Sequence, residues 1–294
     1  MISFKKYSDL FLQFKVHELK YSTFYKYKNI VKSRFDVFMD KNITDIKPSD
    51  IKLWLYAIDD VGNKSKRHYL GVLSGIFQEA LYDDVINKNP VKHIRLPKVY
   101  SPLIKPFIAD DVKSILDNAS KKNANYLYFI AIAFYSGMRT NEIIALKRSD
   151  IDMDRKIIKI SRSRSRFGES TPKTRYSIRE IPIIDALFPY VYSLLSLHNS
   201  DYLFVTQYNK PYIDTKVFCD HFWRPSLKEL NIEYRRPYNM RHTYATNMLY
   251  RNLVTPVQLS QLLGHANTQM VFDVYVKYLE MNFNDFDRSI SVYS

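Results

Sequence analysis

The sequence predicts a mainly α protein: a helical N-terminal domain, then a mostly helical second domain containing a small antiparallel β-sheet. Three observations lead there. Apolar side chains recur at helical spacing through most of the 294 residues. A basic, proline-punctuated stretch, RLPKVYSPLIKPF, interrupts that pattern about a third of the way along. Residues 155–183 replace the helical period with isoleucine-rich segments on either side of a polar centre.

Residues 1–95 read as helices joined by short turns. From Ser22, the side chains of Phe24, Tyr27, Val31, Phe35 and Phe38 share a helical face, with Ser22 or Thr23 as the expected N-cap. Pro48, Ser49 and Asp50 suit the first turn of a helix carrying Ile51, Trp54 and Leu55, because proline at the first helical position loses no bond. A further helix is expected from about Ser65, with Tyr69, Leu73, Ile76, Phe77 and Ala80 on one face, ended by NKNP at 87–90. Residues 96–107 place prolines at 97, 102 and 106 among basic residues and are expected to form an extended connector. The second domain, 108–294, opens with two helical segments, ADDVKSILDNA and NYLYFIAIAFYSG. A hairpin or small sheet follows, with Ile157, Ile158 and Ile160 on one side of Gly168 and Ile178, Ile181 and Ile183 on the other. After Asp185 the pattern is helical again, apart from a short DYLFV, through to about Leu279.

Lys and Arg outnumber Asp and Glu by 44 to 30, a formal charge of +14. Residues 1–100 hold 18 basic and 11 acidic side chains and the remainder 26 and 19, so each part carries +7. Both parts therefore suit a polyanion held from two sides, although basic charge alone fits many partners. The 24 tyrosines and 18 phenylalanines carry little weight as base-stacking platforms. They accompany only six glycines and an abundance of Lys, Asn and Ile, the bias of an AT-rich coding sequence. The single cysteine, Cys219, excludes an internal disulfide and argues against a thiolate metal site. No export signal opens the chain and no stretch nears the ~20 apolar residues that span a bilayer, so a soluble protein of the cytoplasm is expected.

Four segments of the second domain carry residue types suited to a phosphodiester. Such a site needs fixed cations around the non-bridging oxygens, a nucleophile, and an acid for the departing oxygen. In SGMRTNEIIALKRSDID, Arg139 lies at a helix entry and Glu142 shares its face. In TPKTRYSIREIPI, Lys173 lies at a hairpin turn with Arg175 and Arg179 nearby. RRPYNMRHTYATNMLYRN brings Arg241 and His242 into a helix, and LSQLLGHANTQMVFDVYVKYL sets Tyr275 ten residues after His265. Each segment alone reads as a surface ion pair, a basic hairpin or a helix with incidental polar groups.

Together and in this order the segments closely resemble the catalytic domain of the tyrosine recombinases, the family of the phage integrases and the Xer recombinases. The family's T-G-x-R-x-x-E motif is matched by Ser136, Gly137, Met138, Arg139 and Glu142, and its T-x-x-S-x-R-x-I-P run by Thr174, Ser177, Arg179 and Pro182 after Lys173. Its H-x-x-R-H-T-x-A-T box fits Arg241, His242, Thr243, Ala245 and Thr246, and its L-G-H box fits Leu263, Gly264 and His265, followed by Tyr275. One position departs: Tyr238 stands where most members have a histidine, and His242 is no obvious substitute, since the family box has a histidine there too. The helical region ending in NKNPVKHIRLP resembles the family's core-binding domain.

The resemblance implies a site-specific recombinase that cuts and rejoins duplex DNA through a 3′-phosphotyrosyl bond, integrating or excising a phage or mobile element. It implies Arg139, Arg241 and His265 on the scissile phosphate, Tyr275 as nucleophile and Lys173 as the acid for the 5′-oxygen. Glu142 is supporting, and Tyr238 hydrogen-bonds near the phosphate. No cofactor, metal or ATP is implied. The implied partners are duplex DNA and three further copies in a homotetrameric synaptic complex, with accessory DNA-bending proteins as an option and no membrane. A Xer-type chromosome resolvase, and a degenerate member that only binds DNA, stay open as alternatives.

Overall fold

The computed structural model describes residues 2–98, 105–171 and 175–275. The chain divides into two compact units, Met1–Pro102 and Leu103–Ser294.

The first unit is built from α1 (Phe4–Glu18), α2 (Tyr21–Arg34), α3 (Pro48–Ala57) and α4 (Asn63–Tyr82). The apolar stripe of α4 (Leu70, Leu73, Ile76, Phe77, Ala80) is buried against α1 and α2, where Phe4 meets Phe35, Phe38 and Phe77 ring to ring. α2 differs from expectation at both ends. Thr23 N and Phe24 N already donate to Lys20 O, at 2.8 and 3.1 Å, so Lys20 is the N-cap and neither Ser22 nor Thr23 caps. Phe35 and Phe38 lie beyond the helix, in and before a 3₁₀ turn (Asp36–Phe38), yet are fully buried. Trp54 of α3 packs on both rings, and its indole N–H donates to Arg34 O at 2.8 Å, satisfying a carbonyl that the end of α2 leaves open. Asn89 of the NKNP turn donates to Ser74 O of α4 at 2.9 Å.

In the second unit α5 (Ala109–Lys122) packs on α6 (Ala124–Ser136), whose residues Phe129–Phe134 are all buried in the core. A helix apolar on every side is a central helix. The short α7 (Thr140–Ile143) follows, then β1 (Ile151–Asp152), β2 (Ile157–Ile160), β3 (Ser163–Ser165), β4 (Gly168–Ser170) and β5 (Arg179–Pro182). β1, β2 and β5 form an antiparallel sheet in the order β1-β2-β5, with Ile158 opposite Ile181 and Ile160 opposite Arg179, while β3 and β4 pair separately. Ile158, Ile160, Ile181 and Ile183 face the core, whereas Ile178 is exposed.

Beyond α8 (Phe188–Ser196) the expected run of helix is broken. Segment 201–205 is held by isolated bridges (Lys147 with Tyr202, Val205 with Pro211), and Asn209, with φ 57°, turns the chain back. α9 (Lys216–Phe218), a π-helical turn (Cys219–Trp223) and α10 (Arg224–Glu229) follow, closed by Asn231 at φ 55°. An irregular stretch then leads to α11 (Asn239–Tyr250), α12 (Pro256–Leu263) and α13 (Gln269–Val274). The described ends of the connector are tied down. Arg67 donates to Leu96 O and Pro97 O in the first unit, and Phe107 N donates to Thr243 Oγ1 at 2.9 Å in the second. Residues 105–107, expected in the connector, thus belong to the second unit's packing. Among the described residues no helix is long and apolar enough to cross a membrane.

Candidate active site

Two helix C-termini organise the site. α6 ends on Gly137 (φ 64°) and α12 on Gly264 (φ 66°), left-handed positions that glycine takes without penalty. At Gly137 a Cβ would overlap the Tyr244 ring at 2.4 Å, and at Gly264 it would press on Arg179 Nη1 at 3.0 Å. The last carbonyls of a helix lack internal partners and sit at the negative end of its dipole, so they suit guanidinium groups. The end of α12 receives three of them: Arg179 Nε donates to Leu262 O at 2.6 Å, Arg241 Nη2 to Leu263 O at 2.7 Å, and Arg139 Nη2 to Gly264 O at 3.4 Å. Arg241 Nη1 also donates to Gly137 O at 2.8 Å, tying the two helix ends together.

Glu142 binds the cluster from below. Its buried carboxylate accepts from Arg139 N at 2.9 Å and Arg139 Nη1 at 2.7 Å. It also accepts both Nη groups of Arg179, at 3.2 and 2.9 Å. Burial pushes this carboxyl upward, but the charge and hydrogen bonds of Arg179, then Arg139 and Arg241, outweigh it and hold it below the ordinary carboxylate value. Against one carboxylate stand three guanidinium groups, so two positive charges are left for an anion to meet. Arg241 is 1 % exposed. Burial, and then Arg139, pull its pKa down to about 10, and its Nε has no partner among the described residues. Burying charge without compensation is costly, and a bound phosphate would relieve that cost.

His265 follows Gly264, and its Nε2 lies 3.0 Å from Arg241 Nη2. Arginine can only donate, so Nε2 accepts and the ring's proton sits on Nδ1, which has no partner among the described residues. Burial, then Arg241, Arg139 and Arg179, lower its pKa to about 4, so the ring is neutral. Tyr275, at the end of α13, is buried, and its hydroxyl lies 2.8 Å from His242 Nδ1. Burial raises its pKa above the ordinary phenol value, against the pull of Arg241, so the hydroxyl is protonated at neutral pH. Tyr238, just before α11, is half-exposed, with its ring perpendicular to that of His242 at 4.8 Å.

The structure therefore gathers Arg139, Glu142, Arg241, His265 and Tyr275 into one place, with Tyr238 at its margin. Lys173, expected on the hairpin, lies outside the described residues. Sequence reasoning missed two participants. Arg179 matches the S-x-R run, but that match carries no role in the cluster. His242 reads from the sequence as an ordinary member of its box, and no spacing rule ties it to a tyrosine 33 residues on. Among the described residues no group of three or more His, Cys, Asp or Glu stands together as a metal ligand set.

Residues 106–281 match the model of the phage integrase family, and residues 3–57 match the phage integrase N-terminal SAM-like domain. A tyrosine recombinase of Thermosipho africanus is 24 % identical over 273 residues, covering 89 % of this chain and 92 % of the relative. Two solved structures share the fold. The Tn1549 transposon integrase, in complex with a circular intermediate DNA, has a TM-score of 0.78 at 21 % identity, covering 92 % of this chain and 94 % of that one. A lambda integrase tetramer bound to a Holliday junction has a TM-score of 0.76 at 20 % identity, covering 91 % and 79 %. With the family model spanning more than half of its length, the chain belongs to the phage integrase family, the tyrosine recombinases.

Proposed function

We propose that this protein is a site-specific recombinase that cleaves and rejoins duplex DNA through Tyr275, integrating or excising a phage or other mobile element. The observation that carries the reading is a cluster of three arginines around the buried Glu142, two positive charges in excess, beside a buried tyrosine hydroxyl.

Arg139, Arg241 and His265 bind the non-bridging oxygens of the scissile phosphate and stabilise the charge that grows on them in the transition state. Arg139 is the most exposed of the three arginines and meets the phosphate from the solvent side. Glu142 and Arg179 hold the cluster in shape. The Tyr275 oxygen bonds to phosphorus and the bond to the 5′-oxygen breaks. That oxygen leaves with the bonding pair and takes a proton from Lys173, the role the resemblance implies. The 3′-phosphotyrosine keeps the ester energy, so reversal by a 5′-hydroxyl rejoins DNA without ATP. Residues 1–95 would serve as a core-binding domain and 108–294 as the catalytic domain, each with the net positive charge that a polyanion demands. A homotetramer joining two duplexes in the cytoplasm, at the nucleoid, is the working assembly in this reading.

The test is a nicked duplex carrying the element's own end sequence, incubated with protein in EDTA and without nucleotide. A covalent protein–DNA adduct is expected with the parent and none with Tyr275→Phe, whose DNA affinity stays within a few-fold. An adduct in Tyr275→Phe, or strict dependence on added Mg²⁺, would refute the reading.

A further inference from the structure

Attack by Tyr275 requires a destination for its phenolic proton. The hydroxyl is buried and protonated, and a neutral phenol attacks phosphorus only as it gives up that proton. Arg241, the nearest cation, has nothing but donors to offer. His265 has its lone pair on Nε2 engaged by Arg241. Tyr238 is itself a phenol. His242 remains, with Nδ1 at 2.8 Å from the Tyr275 oxygen. Because the phenol is the donor, the imidazole carries its own proton on Nε2 and accepts at Nδ1.

We propose that His242 is a catalytic residue of this protein, accepting the Tyr275 proton at Nδ1 as the tyrosine oxygen bonds to phosphorus. The proposal rests on Tyr275 being the nucleophile. In the forward step the Tyr275 oxygen–phosphorus bond forms and the phenolic proton moves to His242. The bond from phosphorus to the 5′-oxygen breaks, and that oxygen takes its proton from the separate acid. In rejoining, the 5′-hydroxyl attacks and the His242 imidazolium returns a proton to the departing tyrosine.

The placement follows from α11. Successive residues on a helix point about 100° apart, so Arg241 enters the cluster while His242, one residue on, faces the end of α13. Tyr238, one turn earlier on the same side, holds the ring edge to face at 4.8 Å. The groups around the imidazole are Arg241 and Tyr238 from its own helix, Tyr275 after α13 and His265 after α12. Burial, and then Arg241, hold its pKa down at about 4, so the lone pair is open at neutral pH. A bound phosphodiester offsets the charge of Arg241, removing the second of these causes, so the base strengthens when substrate is in place.

Single-turnover cleavage separates this role from others. Two nicked substrates are compared, one with the natural 5′-oxygen leaving group and one with sulfur in its place, which departs without needing an acid. His242→Asn keeps an acceptor oxygen near the place of Nδ1 but cannot take a proton, and His242→Phe removes both. Both variants should slow by about 100-fold on both substrates at pH 7. The Asn variant should regain about tenfold per pH unit from pH 7 to 9, as hydroxide replaces the missing base, while the parent stays flat. DNA affinity should stay within threefold. The proposal is overturned if His242→Asn cleaves within threefold of the parent, if sulfur restores its rate, or if its deficit is the same at every pH. Should the Phe variant misfold, the Asn variant alone decides among these outcomes. An adduct formed by Tyr275→Phe would sink the nucleophile assignment instead, a result distinct from all of these.

Discussion

Replacing Glu142 with glutamine isolates the electrostatics of the cluster, because it keeps the side chain's shape and removes its charge. The carboxylate is buried and paired in fork geometry with Arg179, whose side chain is 6 % exposed. Breaking a buried pair by removing one partner costs roughly 3–5 kcal/mol, since the other charge stays behind in low dielectric. The Arg139 partner is 32 % exposed, and solvent screening limits its share to about 0–1 kcal/mol. The amide oxygen still accepts one hydrogen bond, so the lower end applies: about 3 kcal/mol at pH 7. For a unit of this size each kcal/mol moves the melting temperature by roughly 2–4 °C, which gives a drop of about 6–12 °C. The sign with pH follows from the depressed pKa of Glu142. Its contribution is fully present above the unfolded carboxyl value of 4.5 and is lost as pH falls through the lower folded value. The gap between parent and Glu142→Gln should therefore close below pH 4.5. Anions should act oppositely: with three guanidinium groups and no carboxylate, sulfate should stabilise the variant more than the parent. Thermal melts of the full chain at pH 7 and pH 4, with and without sulfate, measure all three effects. A variant melting within 2 °C of the parent at pH 7, as a screened surface pair would, refutes the electrostatic account.

Tyr238→Phe should slow cleavage by about tenfold or more through loss of a hydrogen bond to the phosphate or attacking group, and Tyr238→His should match or exceed the parent; equal rates for Tyr238→Phe and parent across pH would reduce Tyr238 to a packing partner of His242. Gly137→Ala forces a left-handed φ of 64° on a residue whose Cβ meets the Tyr244 ring at 2.4 Å, and strain plus overlap should cost about 2–4 kcal/mol in a denaturant melt. Gly71→Ala on α4, with nothing within 4 Å of the added carbon, serves as its neutral or stabilised control.

Much of this was legible in the sequence, for reasons that also mark where legibility ended. α4 and α6 announced themselves because long apolar stripes must be buried, and the isoleucine pairs at 157–160 and 181–183 became facing strands for the same reason. The N-cap of α2 falls on Lys20, which makes no side-chain capping bond, ahead of the better cappers Ser22 and Thr23, so capping propensity does not locate this helix start. The loops at 197–215 and 231–238 escaped because single asparagines with left-handed backbones, Asn209 and Asn231, ended regularity that apolar spacing alone would have continued. In the site, motif order pointed to Arg139, Arg241, His265 and Tyr275, but not to what holds them. The carbonyls at the end of α12 and the His242–Tyr275 contact are products of tertiary packing, invisible to residue type and spacing.

The central claim, that Tyr275 is the residue that joins to DNA, is tested most directly by mapping the adduct. Protein trapped on a nicked duplex in EDTA, digested with protease and nuclease, yields a peptide bearing a short 3′-phosphoryl nucleotide, and fragmentation locates it. The account predicts attachment at Tyr275. Attachment at Tyr278, three residues on, or at any serine or other tyrosine, would contradict it.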